Sequence, residues 1–221
     1  IMTALNYDIQ QERDFDYSGL DTDGIINHIV DFVSLLWQNH PFCEGNTRTT
    51  AVFMIKYLRS CGFAVNNDLF ADNSWYFRNA LVRANYNNPM LGIKADRSFL
   101  VKFFRCLLLE EQYEFQNRYM YVGTENVPTP TSTPTSNILL PKSDNVRALV
   151  LCIGHSESSI KEMMSSLDLK DRPNFLMYSV APAIENGYVS MKYPDSPRHP
   201  RQRYLLTIKG LMVFNILLEN K

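Results

Sequence analysis

Apolar residues return at helical spacing through most of the first half of the chain. Ile25, Ile26, Ile29, Val30, Val33, Leu36 and Trp37 recur at i, i+3, i+4 behind the start signals Asp21 and Asp23, which predicts an amphipathic helix. A second helix is predicted from about Thr47 to Arg59, stopping at Gly62. A third starts at Asn73 or Ser74 and runs through "WYFRNALVRANY", and a fourth runs from about Asp96 through "RSFLVKFFRCLLLEEQYEF". Only the opening "TALNYDIQQ" alternates, with Leu5, Tyr7 and Ile9 set against Asn6 and Asp8, and it is predicted as a strand.

The pattern breaks at "VPTPTSTPTS", residues 127 to 136, which repeats Pro and Thr or Ser with almost nothing to bury and predicts an extended tether. Beyond it, "NVRALVLCIGH" and "SESSIKEMMSSLDL" predict two short helices, the second with a capping box formed by Ser159 and Glu162. "RPNFLMYSVAPAIENG" predicts a third helix ending at Gly187, which Pro182 must disturb. Two short strands follow around a Pro-rich basic turn, then a terminal helix, "IKGLMVFNILLEN". Three helices and a β-hairpin describe a winged helix-turn-helix. The expected organisation is therefore a mainly α domain over 1–122, a Pro/Thr-rich linker over 123–143 and a winged-helix (α+β) domain over 144–221.

The 221 residues and 45% hydrophobic content suffice for real cores, and a formal net charge of −1 gives no global reason to expect a nucleic-acid or membrane-surface protein. Cys43, Cys61, Cys106 and Cys152 lie far apart with no zinc-ligand spacing and read as reduced thiols, which points to the cytoplasm. No apolar run reaches the roughly 18 residues of a membrane span, so no membrane partner is expected. The chain begins Ile1-Met2, and what precedes it is open.

The densest chemistry lies in "HPFCEGNTRTT", residues 40 to 50. Taken singly, Gly45 and Asn46 make a turn, Glu44 complements a helix dipole and His40 is a surface histidine. Together they do more. Gly45-Asn46-Thr47 at a helix start presents unpaired N–H groups to an anion, and Arg48 adds a planar cation where the dipole disfavours one. Glu44 supplies a hard oxygen of the kind that a phosphate-bound magnesium takes, and His40 can accept a proton near neutral pH.

At these residues the sequence resembles the Fic family, whose signature runs HxFx(D/E)GN(G)RxxR; His40, Phe42, Glu44, Gly45, Asn46 and Arg48 match in register. The resemblance extends over most of 1–122 and implies a helical bundle with a β-hairpin flap, transferring AMP from ATP to a Ser, Thr or Tyr hydroxyl of a target protein. It implies His40 as general base, Phe42 as the anchor of the loop in the core, Glu44 as the Mg2+ ligand, and Gly45, Asn46, Thr47 and Arg48 on the phosphates. Asn85 would lie near the adenosine with Phe77 and Arg78 beside it. Leu5, Asn6, Tyr7, Asp8 and Ile9 would form one strand of the flap that aligns the target. Two positions depart from the pattern: Thr47 stands where Gly is usual, and Ala51 where the second arginine, which grips the γ-phosphate, belongs. The chain carries no (S/T)xxxE(G/N) inhibitory motif. The Doc branch also lacks the second arginine and transfers phosphate instead of AMP, but it usually has Ala and Lys where this chain has Gly45 and Thr47.

Elsewhere the plainer structural readings win. His28 is expected to be a packing histidine; Trp37, Trp75, Phe103 and Phe104 are expected in the core; His155 and Cys152 are too few for zinc. In the wing, Lys192, Arg198, His199, Arg201 and Arg203 make a DNA-phosphate contact as plausible as a solvated hairpin tip. A DNA-binding regulator with a nucleotide-sensing loop is the third reading, after the two transferases. The sequence leaves the oligomeric state open, a homo-oligomer included.

Overall fold

The computed structural model describes residues 2–122 and 140–219, so the predicted tether at 127–136 lies outside the described residues. The chain divides into two compact units: Ile1–Phe15, Ile26–Tyr57 and Val65–Ile138 form the first, and Asp16–Ile25, Leu58–Ala64 and Leu139–Lys221 the second. The second unit thus takes two stretches from ahead of residue 123, which no local pattern announces. The described residues are mainly helical with one two-stranded sheet, and none of their helices is long and apolar enough to cross a membrane.

The first unit is built from α1 (Met2–Asp14), most of α2 (Thr22–Gln38) and α3 (Asn46–Ser60), then α4 (Asp68–Asp72), α5 (Ser74–Asn85) and α6 (Ser98–Leu109). The segment predicted as a strand is helix α1. Its inward positions are Leu5, Asp8, Ile9 and Glu12, a helical period, while Tyr7 of the supposed alternation is 63% exposed. Glu12 is buried where His28 Nε2 approaches its carboxylate at 2.8 Å, and the His28 ring stacks on Phe15, so His28 is indeed a packing histidine.

The core beneath α5 is aromatic. Phe70, Phe77 and Phe103 meet with ring centroids 4.9 to 5.0 Å apart, and Tyr76 stands 6.5 Å from Phe103. Helix α6 stops at Leu109, short of the predicted Phe115, because Glu110 turns left-handed and sends Glu111 back beneath the helix. There Arg105 donates two hydrogen bonds to the buried Glu111 carboxylate, at 2.7 and 2.8 Å, and Tyr113 donates a third. Burial pushes that carboxyl up, but these donors outweigh it and hold it below the usual carboxylate range.

In the second unit α7 (Asp144–Ile153), α8 (Ile160–Ser166), α9 (Arg172–Phe175) and α10 (Ala181–Glu185) precede β1 (Val189–Met191) and β2 (Tyr204–Leu206), and α11 (Ile208–Glu219) follows. The strands are antiparallel, Val189 opposite Leu206 and Met191 opposite Tyr204, and Ser158 adds a bridge to Tyr204. The predicted capping box forms: Ser159 Oγ accepts from Glu162 N and Glu162 Oε2 from Ser159 N. Asp21 likewise accepts from Gly24 N at 2.7 Å at the start of α2. Pro182 does not break the third helix. A π turn, Leu176–Val180, joins α9 to α10, and the Ala181 N–H reaches back to the Leu176 carbonyl just before the residue that has no N–H to give.

Two glycines let backbones touch within this unit. A Cβ on Gly62 would stand 2.0 Å from the Gly187 carbonyl oxygen, and φ is +95° at Gly62 and +73° at Gly187. Gly62→Ala is expected to destabilise the unit by roughly 3 kcal/mol, since left-handed strain and overpacking each cost about 1–3 kcal/mol. A thermal melt checks this; a midpoint within a degree or so of wild type would show that the close approach is not required.

Candidate active site

The loop before α3 is shaped by Gly45 and Asn46. Gly45 takes φ +77°, and its carbonyl accepts the first helical bond, from Thr49 N at 2.9 Å. The N–H groups of Asn46, Thr47 and Arg48 therefore lie ahead of any helical acceptor. The Asn46 side chain ties the loop shut by accepting from Phe42 N at 3.0 Å and donating to Phe42 O at 2.6 Å. These two bonds do what the Phe42 ring was expected to do. The ring itself is 52% exposed, and no core anchors the loop through it. The Arg48 guanidinium folds back on Gly45, where an added Cβ would meet Nη2 at 3.4 Å.

His40 sits at the other end of the loop with φ +40°, a left-handed backbone unusual for a residue with a Cβ. Its Nδ1 lies 3.2 Å from the Gln38 carbonyl. A carbonyl can only accept, so Nδ1 carries a proton, and in the neutral ring Nε2 keeps its lone pair. The ring meets the Trp37 edge, centroids 4.7 Å apart, and the Trp37 indole donates to Thr47 Oγ1 at 3.1 Å. The hydroxyl gained where the signature has Gly thus joins the two ends of the loop through Trp37.

These groups open onto one cleft of about 450 Å³, a size that suits a small-molecule ligand. His40, Glu44, Gly45, Asn46, Thr47 and Arg48 line one side; Ser74, Trp75 and Arg78 of α5 line the other. Trp75 is 67% exposed instead of being in the core, and the Arg78 guanidinium lies 5.6 Å from its ring centroid. Trp37 also belongs to the cleft wall. A helical wheel carries the signal for Trp75: Tyr76, Phe77, Ala80, Leu81 and Ala84 are buried, leaving Trp75, Arg78 and Val82 on a shared outer face.

Three expected nucleotide or target contacts lie elsewhere. Phe77, 1% exposed, belongs to the aromatic core on the far side of α5. Asn85 spends its amide on the fold, accepting from Ser34 Oγ at 2.9 Å and from Gln38 Nε2 and donating to Leu81 O. Leu5 to Ile9 cannot add a strand, because helix α1 uses their backbone groups internally; Asp8 instead accepts from Asn39 Nδ2 at 2.7 Å, next to His40. Around the β1–β2 hairpin, Lys192 pairs with Glu157 at 2.7 Å and Arg203 with Glu162, while Arg198 and Arg201 form no ion pair among the described residues.

No group of three or more His, Cys, Asp or Glu able to hold a metal occurs among the described residues. Glu44, exposed and lining the cleft, is a single carboxylate. That donor set fits a magnesium carried mainly by substrate phosphates, not a resident ion in a protein cage.

Comparison with known proteins places this loop in a family. The Fic/DOC family model matches residues 3–58, and the model described as the filamentation induced by cAMP protein Fic-like, C-terminal domain matches residues 144–207. No curated protein matches. Among solved structures, the crystal structure of a Fic family protein from Desulfovibrio desulfuricans G20 at 2.70 Å is 21% identical, covers 93% of this chain and 55% of that one, and superposes with a TM-score of 0.32. The chain spans about half the length of that protein. With the signature residues of the loop shaping the cleft and two family models matched in chain order, this chain belongs to the Fic/DOC family.

Proposed function

We propose that the chain is a protein adenylyltransferase that moves AMP from ATP to a Ser, Thr or Tyr hydroxyl of a target protein. Family membership supports Fic-type nucleotide transfer in general. The observation that carries the finer reading is the shared cleft: a histidine with a free Nε2 stands with open backbone donors and two guanidinium groups. In this reading His40 Nε2 takes the proton of the target hydroxyl as its oxygen attacks the α-phosphorus. The bond from that phosphorus to the bridging oxygen breaks, and pyrophosphate leaves. The N–H groups of Asn46, Thr47 and Arg48 and the Arg48 guanidinium hold the phosphates as charge builds on them. Glu44 would hold magnesium bound to those phosphates, and the ion would offset their charge. Arg78 meets the polyphosphate from the α5 side and Trp75 offers its ring to the base, roles that the expected Phe77 and Asn85 cannot fill from where they lie.

The Doc-like reading, transfer of the γ-phosphate, keeps a footing in Ala51. It is 8% exposed on α3 and absent from the cleft wall, so nothing at that position grips a terminal phosphate. ATP labelled separately at the α and γ positions separates the two. We expect α label on protein; γ label in its place would move the chain to phosphate transfer.

A further inference from the structure

The C-terminal unit carries its own concavity, a groove of about 990 Å³ between α8, the start of α9 and the tip of the β1–β2 loop. Three cations stand on its walls, each from a different element: Lys161 from α8, Arg172 from α9 and Arg198 from the loop. None forms an ion pair among the described residues, and no carboxylate lines the groove. Of the acids near it, Glu157 is spent on Lys192, Glu162 on Arg203 and the Ser159 N–H, and Asp171 on Asn174 at the cap of α9, while Asp168 and Asp195 are exposed outside its lining. An unopposed positive groove takes an anionic partner.

The rest of the surface decides which anion. Beside the cations the lining mixes polar side chains such as Ser165 and Gln202 with the apolar Ile160, Met164, Leu169 and Leu176, and Leu169 is 42% exposed. The π turn beside it shows Met177 and Tyr178 to solvent, 63% and 53% exposed. A phosphodiester backbone has no use for an apolar lining, and the bidentate base-edge contacts come from Arg, Lys, Asn or Gln. From Asn174 to Glu185 the exposed face of this helix offers Met177, Tyr178, Ala181 and Glu185, with no arginine, lysine or glutamine for a bidentate base contact and a carboxylate that phosphates repel. Met, Tyr and Arg are instead the residues that protein interfaces favour. The loop tip is also ordered in advance. Gln202 exchanges hydrogen bonds with the Tyr193 backbone at 2.9 and 3.0 Å, and the Tyr193 and His199 rings lie 4.1 Å apart, so little freedom is lost when Arg198 engages.

We infer that this groove docks a segment of a partner protein in which Asp or Glu residues alternate with large apolar side chains. The carboxylates meet Lys161, Arg172 and Arg198, and the apolar side chains meet Ile160, Met164, Leu169 and Leu176. The inference does not rest on the transferase reading.

The test presents the full chain to a random peptide display library, with a Lys161→Glu/Arg198→Glu variant alongside and a short duplex DNA as competitor. Enriched peptides are expected to carry Asp or Glu among Leu, Phe, Met or Trp. Their binding should weaken about tenfold or more in the charge-reversed variant, a change of about 1.4 kcal/mol, while its thermal midpoint stays at the wild-type value. Duplex DNA should fail to displace them. No enrichment, enrichment that survives charge reversal, or displacement by DNA with a steep salt dependence would each overturn the docking assignment. So would a dimer in solution that charge reversal dissolves, since the occupant would then be a second copy of the chain.

Discussion

His40→Ala is expected to lower transfer of α label from ATP by about 10²–10⁴-fold, the range a positioned general base contributes. The prediction follows from the tautomer. With Nδ1 held by the Gln38 carbonyl, Nε2 is the ring's only acceptor, and alanine leaves nothing at residue 40 to take the hydroxyl proton. Nucleotide affinity should change little, because the phosphate donors belong to Asn46, Thr47 and Arg48. The measurement is the rate of labelling beside a binding isotherm for ATP. Equal rates with and without the imidazole would remove the base from the mechanism and leave the loop as a nucleotide sensor. A variant that neither labels nor binds would show instead that the ring shapes the loop through Trp37.

Phe77→Ala is expected to cost about 3–5 kcal/mol of stability, the usual toll for emptying a buried phenylalanine site. The ring is 1% exposed and packs against Phe70 and Phe103. Trp75→Ala, two residues away, should leave stability within about 0.5 kcal/mol and weaken ATP binding by about tenfold, as losing a stacking surface worth about 1–3 kcal/mol would. Denaturant melts and nucleotide titrations on the pair make the comparison. If Phe77→Ala folded normally and lost nucleotide, with Trp75→Ala silent, the two faces of α5 would have to exchange roles.

Residues two apart on one helix thus divide between core and cleft, and this marks what the sequence could show. A run such as His40 to Arg48 is legible because its parts act within a few residues: a turn glycine, a helix start and the side chains beside it lie together in any fold that keeps the helix. The capping box at Ser159 and Glu162 and the start of α2 at Asp21 were readable for the same reason. Where apolar spacing persisted over three or more turns, as along α2, the helix followed.

What failed was local evidence for partners distant in sequence. Alternation over Leu5, Tyr7 and Ile9 could not outweigh a helix that sets Asp8 against Asn39 and buries Glu12 against His28. The family resemblance implied Phe42 as the anchor of the loop, yet Asn46 supplies the tie. Lys192 and Arg203 were grouped with the unpaired Arg198 and Arg201 because their partners, Glu157 and Glu162, lie far from them along the chain. By itself, then, the sequence determined the helices with sustained apolar spacing, the family loop and the chemistry of its first turn, since short-range periodicity and backbone donors need no tertiary partner. Only the tertiary structure decided which face of α5 meets the cleft, which cations stay unpaired and which stretches ahead of residue 123 join the second unit, because those outcomes depend on burial between segments that no local pattern pairs.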